Sequence, residues 1–384
     1  MAAEYKNIFK PCVLENGVTL KNRIIYSNGQ QTFSASPSPG PDQLMMDDLA
    51  IFARSGASLM NWGHFGSMGG GAAPRTAPPV DKKAIRASGR RLVEDSKLQT
   101  FASAAAYDYS DARTWNLLGQ VAEGAHLYDT RIVVKLGASF PRGKCLNGIE
   151  EFDERLLYPQ KSAAEDHRFT IADSTRGNPM YKAWYGIVEE GERAPTMEEL
   201  KAKIATREEI RDVIEDVVDM CLRYKNVGFD GMSIRGDRWG LNACTNIRED
   251  EYNGEIEARG LFLYQMFQTI KEVCGDEFLV EVVMPGASPH GHDGQLPAGY
   301  TEEEFIRFMK FVEPYVDLVE VREPLGIGYQ CMGYNSQLHE HKSPEIARHL
   351  RAAGFRKAIA VNGGFHDPDE MEKLLSEGVI ELVS

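Results

Sequence analysis

Short, almost unbroken apolar runs recur along this chain, each followed by a stretch whose apolar residues repeat at helical spacing. A strand without polar alternation has both faces buried, the situation of a parallel sheet covered by helices. The unit at residues 227–273 shows the pattern in full. Residues 227–234 read as a buried strand, Arg235, Asp237 and Arg238 follow at its carboxyl end, and the chain turns polar from Thr245. Over 255–273, Ile256, Leu261, Leu263, Tyr264, Phe267 and Ile270 fall on one helical face. Strand, charged loop and helix make one β/α unit, with polar groups delivered where the strand opens into its loop.

Strand-like runs of this kind lie at 22–27, 57–62, 131–136, 227–234, 278–284, 316–321 and 358–361, and an eighth begins at 379. Helical stretches at 41–55, with Leu44, Met45, Leu49 and Phe52 on one face, and at 111–127 lie between them. Thr206 with Glu209, and Thr301 with Glu304, have the spacing of capping boxes that open two further helices. Asn16-Gly17 between 12–14 and 18–20 predicts a hairpin that closes the barrel floor. The fold expected is a single α/β domain over 1–384, a (β/α)8 TIM barrel. Residues 140–205 fit no strand–helix pair: they carry Pro141, Pro159, Pro179 and Pro195 and an aromatic cluster at Tyr181, Trp184 and Tyr185. Placed between strands three and four, this insertion reads as a lid on the catalytic face, or as a surface embellishment or oligomer contact.

The net charge of −14 argues against nucleic acid and anionic membrane surfaces as partners. No apolar run approaches the roughly 20 residues that span a bilayer. The first residues lack the apolar core of a signal peptide, so a cytoplasmic location is expected. Six cysteines at 12, 145, 221, 244, 274 and 331 form no CxxC pair and read as free or buried thiols. His290, His292, His339 and His341 do not converge with other ligands in the sequence, so no metal site is expected.

Residues 245–259, TNIREDEYNGEIEAR, resemble the signature that follows the fourth barrel strand in Old Yellow Enzyme-like NADH:flavin oxidoreductases, with Asn246, Arg248, Asp250, Glu251, Tyr252, Gly254, Glu257 and Arg259 in place without a gap. The type is the flavin barrel of 2,4-dienoyl-CoA reductase, enoate reductase and trimethylamine dehydrogenase. Residues 8–20, 21–28, 205–217 and 360–378 are similar to other anchors of that family, so the resemblance runs over nearly the whole chain. It implies FMN as cofactor and NAD(P)H as ultimate donor, with an iron–sulfur cluster and FAD only in a longer form. The chain stops within strand eight and reads as a fragment of such a form. By the same resemblance Ser27, Asn28 and Gln30 meet the flavin's pyrimidine side, Gly63 lets the ring approach, and Asn362, Gly363 and Gly364 cradle the phosphate. Two positions depart from the family: Lys135 stands where a Gln usually contacts the ring, and Val283 where an Arg is common. Arg235 and Arg238 replace a pair of His, or His and Asn, that hold a substrate oxygen, Tyr329 and Tyr334 are candidate proton donors, and Trp62, His64 and Arg322 are candidate substrate contacts.

Lys135, Arg235, Arg238 and Arg322 all fall at carboxyl ends of strands, cations gathered at the mouth of an acidic barrel, which suggests an anionic guest. Pairing with Asp237, Glu281 and Glu323 would explain part of the same pattern. The function expected is FMN-dependent reduction of an activated C=C bond in an anionic small molecule of enoate or enoyl-CoA type, with room for a homo-oligomer. The alternatives are a flavin-free or non-catalytic barrel serving as a partner subunit, and an amine dehydrogenase-like flavoprotein.

Overall fold

The computed structural model describes residues 5–27, 41, 43–62, 111–136, 146, 198, 201–202, 204–236, 248–289, 299–323, 341–363, 365 and 367–384. In chain order the strands are β1 (Cys12–Val13), β2 (Thr19–Leu20), β3 (Ile25–Tyr26), β4 (Leu59–Trp62), β5 (Arg131–Lys135), β6 (Gly231–Arg235), β7 (Leu279–Pro285), β8 (Ser288–Pro289), β9 (Gly299–Tyr300), β10 (Leu318–Arg322), β11 (Ala358–Asn362) and β12 (Leu382–Val383). The helices are α1 (Gln43–Arg54), α2 (Ala112–His126), α3 (Arg207–Asn226), α4 (Ile256–Arg259), α5 (Leu261–Cys274), α6 (Glu302–Val312), α7 (Ser343–Ala352) and α8 (Pro368–Ser376).

Eight strands pair in the order β3-β4-β5-β6-β7-β10-β11-β12, every step parallel. A parallel bridge between Ile24 and Val383, with Val383 N donating to Arg23 O at 2.9 Å, joins the first strand to the last. The sheet is therefore a TIM barrel, as expected. Its side chains divide by parity. Met60, Trp62, Ile132, Val134, Met232, Ile234, Val280, Val282, Val319, Val321, Ile359 and Val361 point outward into one large core shared with the helices. Leu59, Val133, Leu279, Leu318, Ala358, Ala360 and Leu382 point inward and pack with Cys12, Leu14 and Leu20 of the hairpin. The hairpin pairs Cys12 with Leu20 and turns at Gly17, whose φ of +88° favours glycine, so the floor is closed as the turn chemistry predicts.

Both capping boxes are present: Thr206 Oγ1 accepts from Glu209 N at 3.1 Å and Thr301 Oγ1 from Glu304 N at 3.2 Å, with each glutamate returning to the cap's own amide. Several boundaries differ from expectation, the first strand beginning at Ile25 rather than 22. The fourth strand begins at Gly231 rather than 227, because Val227 caps α3 and Asp230 accepts from Ile132 N and Arg131 Nη1, both at 2.8 Å. The eighth begins at Leu382 rather than 379. The helix expected over 255–273 is two, broken at Gly260, where a Cβ would sit 2.6 Å from Phe308 Cε2. The 140–205 insertion lies almost wholly outside the described residues. Among these, no helix is long and apolar enough to cross a membrane.

Candidate active site

Above the apolar floor the barrel interior becomes polar. The strands place Asn61 (β4), Lys135 (β5), Ser233 and Arg235 (β6), Glu281 (β7), Glu320 and Arg322 (β10) and Asn362 (β11) at inward parity, with Ser27 just past β3. Asn61, Ser233 and Glu320 are fully buried, Glu281 is 1% exposed and Lys135 6%. A TIM barrel builds its sites at this carboxyl end, and here the change from apolar to polar lining marks the depth at which packing gives way to chemistry.

Glu320 is the hub. Its Oε1 accepts from Ser27 Oγ, Arg322 Nε and Asn362 Nδ2, each at 3.1 Å. Arg322 Nη2 also donates to Ser27 Oγ at 3.4 Å, and Asn362 Nδ2 to Ser384 Oγ at 3.1 Å, so strands from opposite ends of the sequence meet in one network. Around it, several acceptors have no hydrogen-bond partner among the described residues: both oxygens of Glu281, Oε2 of Glu320 and Oδ1 of Asn61. Asn61 spends its amide on Ser233 Oγ at 3.4 Å. Burial, then the nearby Glu320, pushes the Glu281 carboxyl up to about 7. Burial, then Arg322, brings the Lys135 amine down to about 7. Such opposed shifts at one place are typical of functional sites. The interior thus offers cationic donors and unsatisfied acceptors side by side, suited to an occupant that carries both along one edge.

Of the residues singled out from sequence, the structure brings Ser27, Lys135, Arg235, Arg322 and Asn362 together here. Trp62 is placed elsewhere: its ring is buried in the outward layer between sheet and helices, so it does not face this interior. Gly363 lies at the rim, where a Cβ would come within 2.8 Å of Glu323 Oε1 and 3.1 Å of His341 Nδ1. Glu323 itself accepts from Lys342 N (2.9 Å), Ser343 N (3.2 Å) and Ser343 Oγ (2.9 Å), holding the start of α7. Arg322 pairs with Glu320, which was not among the acids weighed from sequence as partners of these cations. Asn28, Gln30, Gly63, His64, Arg238, Tyr329, Tyr334 and Gly364, with Asp237, lie outside the described residues. Glu320 was missed by the sequence reading and Glu281 was weighed only as an ion-pair partner. The signal for both was a lone acid inside an apolar strand, LVEVV and LVEVR, at the parity that faces inward. Among the described residues no group of three or more His, Cys, Asp or Glu is arranged to hold a metal ion.

No family model matches the chain. An N,N-dimethylglycine/sarcosine dehydrogenase of Chromohalobacter salexigens is 27% identical over 195 residues, covering 47% of this chain and 26% of that protein. An NADPH dehydrogenase of Bacillus cytotoxicus is 29% identical over 162 residues, covering 38% of this chain and 44% of the other. The matched stretch thus spans less than half the length of these curated relatives. Among solved structures, a 2-naphthoyl-CoA reductase in complex with 2-naphthoyl-CoA superposes with a TM-score of 0.64 at 15% identity, covering 99% of this chain and 50% of that one. An Old Yellow Enzyme homologue from Zymomonas mobilis gives 0.57 at 17% identity, covering 98% and 88%. A histamine dehydrogenase from Rhizobium sp. 4-9 gives 0.59 at 15%, covering 99% and 46%. At these identities the solved structures speak for the fold.

Proposed function

We propose, starting from a chain that resembles the Old Yellow Enzyme-like oxidoreductases in sequence and in fold, that it is an FMN-dependent oxidoreductase drawing on NAD(P)H. The observation that carries this reading is the interior cluster of Ser27, Lys135, Arg322 and Asn362 at the carboxyl end of the barrel strands. The residues fit the polar edge of a flavin ring. Lys135 and Arg322 can donate to ring carbonyl oxygens, and the unpartnered acceptors of Asn61 and Glu281 can receive a ring N–H. When bound, FMN supplies the hydride chemistry; the protein supplies orientation and charge. Lys135, at the end of β5, stands in for the family's usual Arg at 283, and a positive charge there favours an anionic reduced ring.

The substrate class follows from charge. Arg235 ends β6 half-buried, beside Lys135 of β5 and with β7 alone between its strand and that of Arg322. Guanidinium groups suit a formal anion by charge-assisted, often bidentate bonds, so the preferred substrate is an enoate or acyl-CoA ester with an activated C=C bond. Arg238, Tyr329 and Tyr334 keep the roles assigned from sequence, substrate anchoring for the first and proton delivery for the tyrosines. An amine substrate is the second reading, favoured by similarity to the dimethylglycine/sarcosine dehydrogenase; cations at the mouth weigh against a cationic amine.

The test is binding of FMN to the purified protein. Absorption bands near about 450 nm and quenching of flavin fluorescence at stoichiometric protein are expected. A protein that stays colourless and leaves flavin fluorescence unchanged supports the flavin-free barrel instead.

A further inference from the structure

Glu281 and Glu320 stand on adjacent strands at inward parity, offset by one inward position: Glu281 lies opposite Leu318, and Glu320 opposite Val283. Neighbouring strands lie only about 4.8 Å apart, and Glu320 is near enough for its charge to act on the Glu281 carboxyl. Both are buried to 1% exposure or less, and three of their four carboxyl oxygens have no hydrogen-bond partner among the described residues. The Ser233 hydroxyl, in register with Glu281, favours the charged form, though neither Glu281 oxygen lies in hydrogen-bond geometry with it. Asn61 Oδ1, buried in the same interior, is a further acceptor without a donor among the described residues. An ionised Glu281 would be buried without a hydrogen-bond donor among the described residues, with the charges of Lys135 and Arg322 set against both burial and the charge of Glu320. A single added hydrogen on one carboxyl converts an orphaned acceptor into a donor, and the neighbouring acceptors are there to receive it.

We propose that Glu281 and Glu320 hold one proton between them, carried on Glu281, and that this pair is a proton-holding site inside the barrel. Glu320 is the ionised member, because Ser27, Arg322 and Asn362 all donate to it. Among the described residues, the charged groups acting on Glu281 are Lys135 from β5 and Glu320 and Arg322 from β10, and Arg235 from β6 acts on Lys135 beside it. With Glu281 neutral, the positive side chains at the mouth outweigh the single ionised carboxylate. The interior then admits an anion at neutral pH and loses that preference as Glu281 ionises. This consequence for the guest rests on the function proposed above; the shared proton does not.

Infrared spectra of the whole protein in heavy water, taken across about pH 5 to about pH 8, test the site directly. A protonated-carboxyl band should persist well above the ordinary carboxylate range and disappear in Glu281→Gln. In Glu320→Gln the same band should titrate at lower pH, because the neighbouring negative charge is gone. A native protein with no such band overturns the proposal without any variant having to fold, and so does a band that survives Glu281→Gln. FMN binding, measured in parallel, separates the two readings. The band without FMN binding leaves the proton site standing and removes the flavin; FMN binding without the band removes only the proton site.

Discussion

A residue's chemistry in this barrel is set by which way its strand parity points it. Lys135 and Glu281 would be unremarkable ions on a surface, but inside the barrel burial moves the amine down and the carboxyl up until both lie near 7. For Glu281 the sign is definite. A carboxyl raised from 4.5 to about 7 binds more protons folded than unfolded between those values, so its contribution to stability is present below 4.5 and lost as pH rises through about 7. Denaturant unfolding across that interval should therefore show stability falling with pH in the native protein and a flatter profile in Glu281→Gln. Arg235 belongs to the same scale. Arg235→Ala should cost about 2–5 kcal/mol in binding an enoate or in transition-state stabilisation, with FMN content retained. Equal binding of enoate by native protein and variant would reduce Arg235 to charge compensation within the interior.

Among elements, the most family-like stretch turns out to be a structural clamp. Arg248, 3% exposed, donates to the Leu146 and Ala205 carbonyls at 2.6 and 2.7 Å and pairs with Asp250 at 2.5 Å. Its guanidinium lies 5.1 Å from the Tyr252 ring centroid, and Tyr252 Oη donates to Gln265 at 2.9 Å. Glu257 and Arg259 reach α6, pairing with Arg307 at 2.7 Å and Glu304 at 2.6 Å. The signature thus ties the chain before α3 and the body of α6 to the two helices that follow β6. The break between those helices has a packing cause, since only glycine at 260 lets the ring of Phe308 lie against the backbone. Gly260→Ala would straighten helical preference locally yet overpack that contact. A loss of about 1–3 kcal/mol in denaturant unfolding is expected, and a neutral or stabilising change would show that the break is not held by Phe308.

The whole molecule depends on its two ends meeting. Glu372 on α8 accepts from Asn7 N, Asn7 Nδ2 and Ile8 N at 2.8–3.0 Å, and Arg23 Nη1 donates to Glu381 O at 2.9 Å beside the β3–β12 closure. Glu381 in turn pairs with Arg351 at 2.7 Å and accepts from Ile359 N at 2.8 Å. Closure removes the edge that an open parallel sheet would leave. Glu372→Ala should therefore lower Tm and speed amide exchange in residues 5–8 and 23–26 together. Faster exchange confined to 5–8, with Tm unchanged, would mean that the barrel closes without help from this contact.

What the sequence determined by itself was the part governed by local rules. Apolar runs, capping boxes and the Asn16-Gly17 turn each depend on residues within a few positions of one another, and they placed the strands, two helix starts and the floor hairpin. Boundaries failed where a distant partner decided them: Asp230 taken by Arg131 and Ile132, and Gly260 pressed by Phe308. The site divides the same way. That Ser27, Lys135, Arg235, Arg322 and Asn362 sit at strand ends was legible along the chain. That Glu320 gathers three of them, that Glu281 finds no hydrogen-bond donor among the described residues, and that Trp62 faces outward were decided only when eight strands closed with a common parity. Hydrogen bonding and desolvation depend on which side chains share an enclosed volume, and that volume exists only in the tertiary structure.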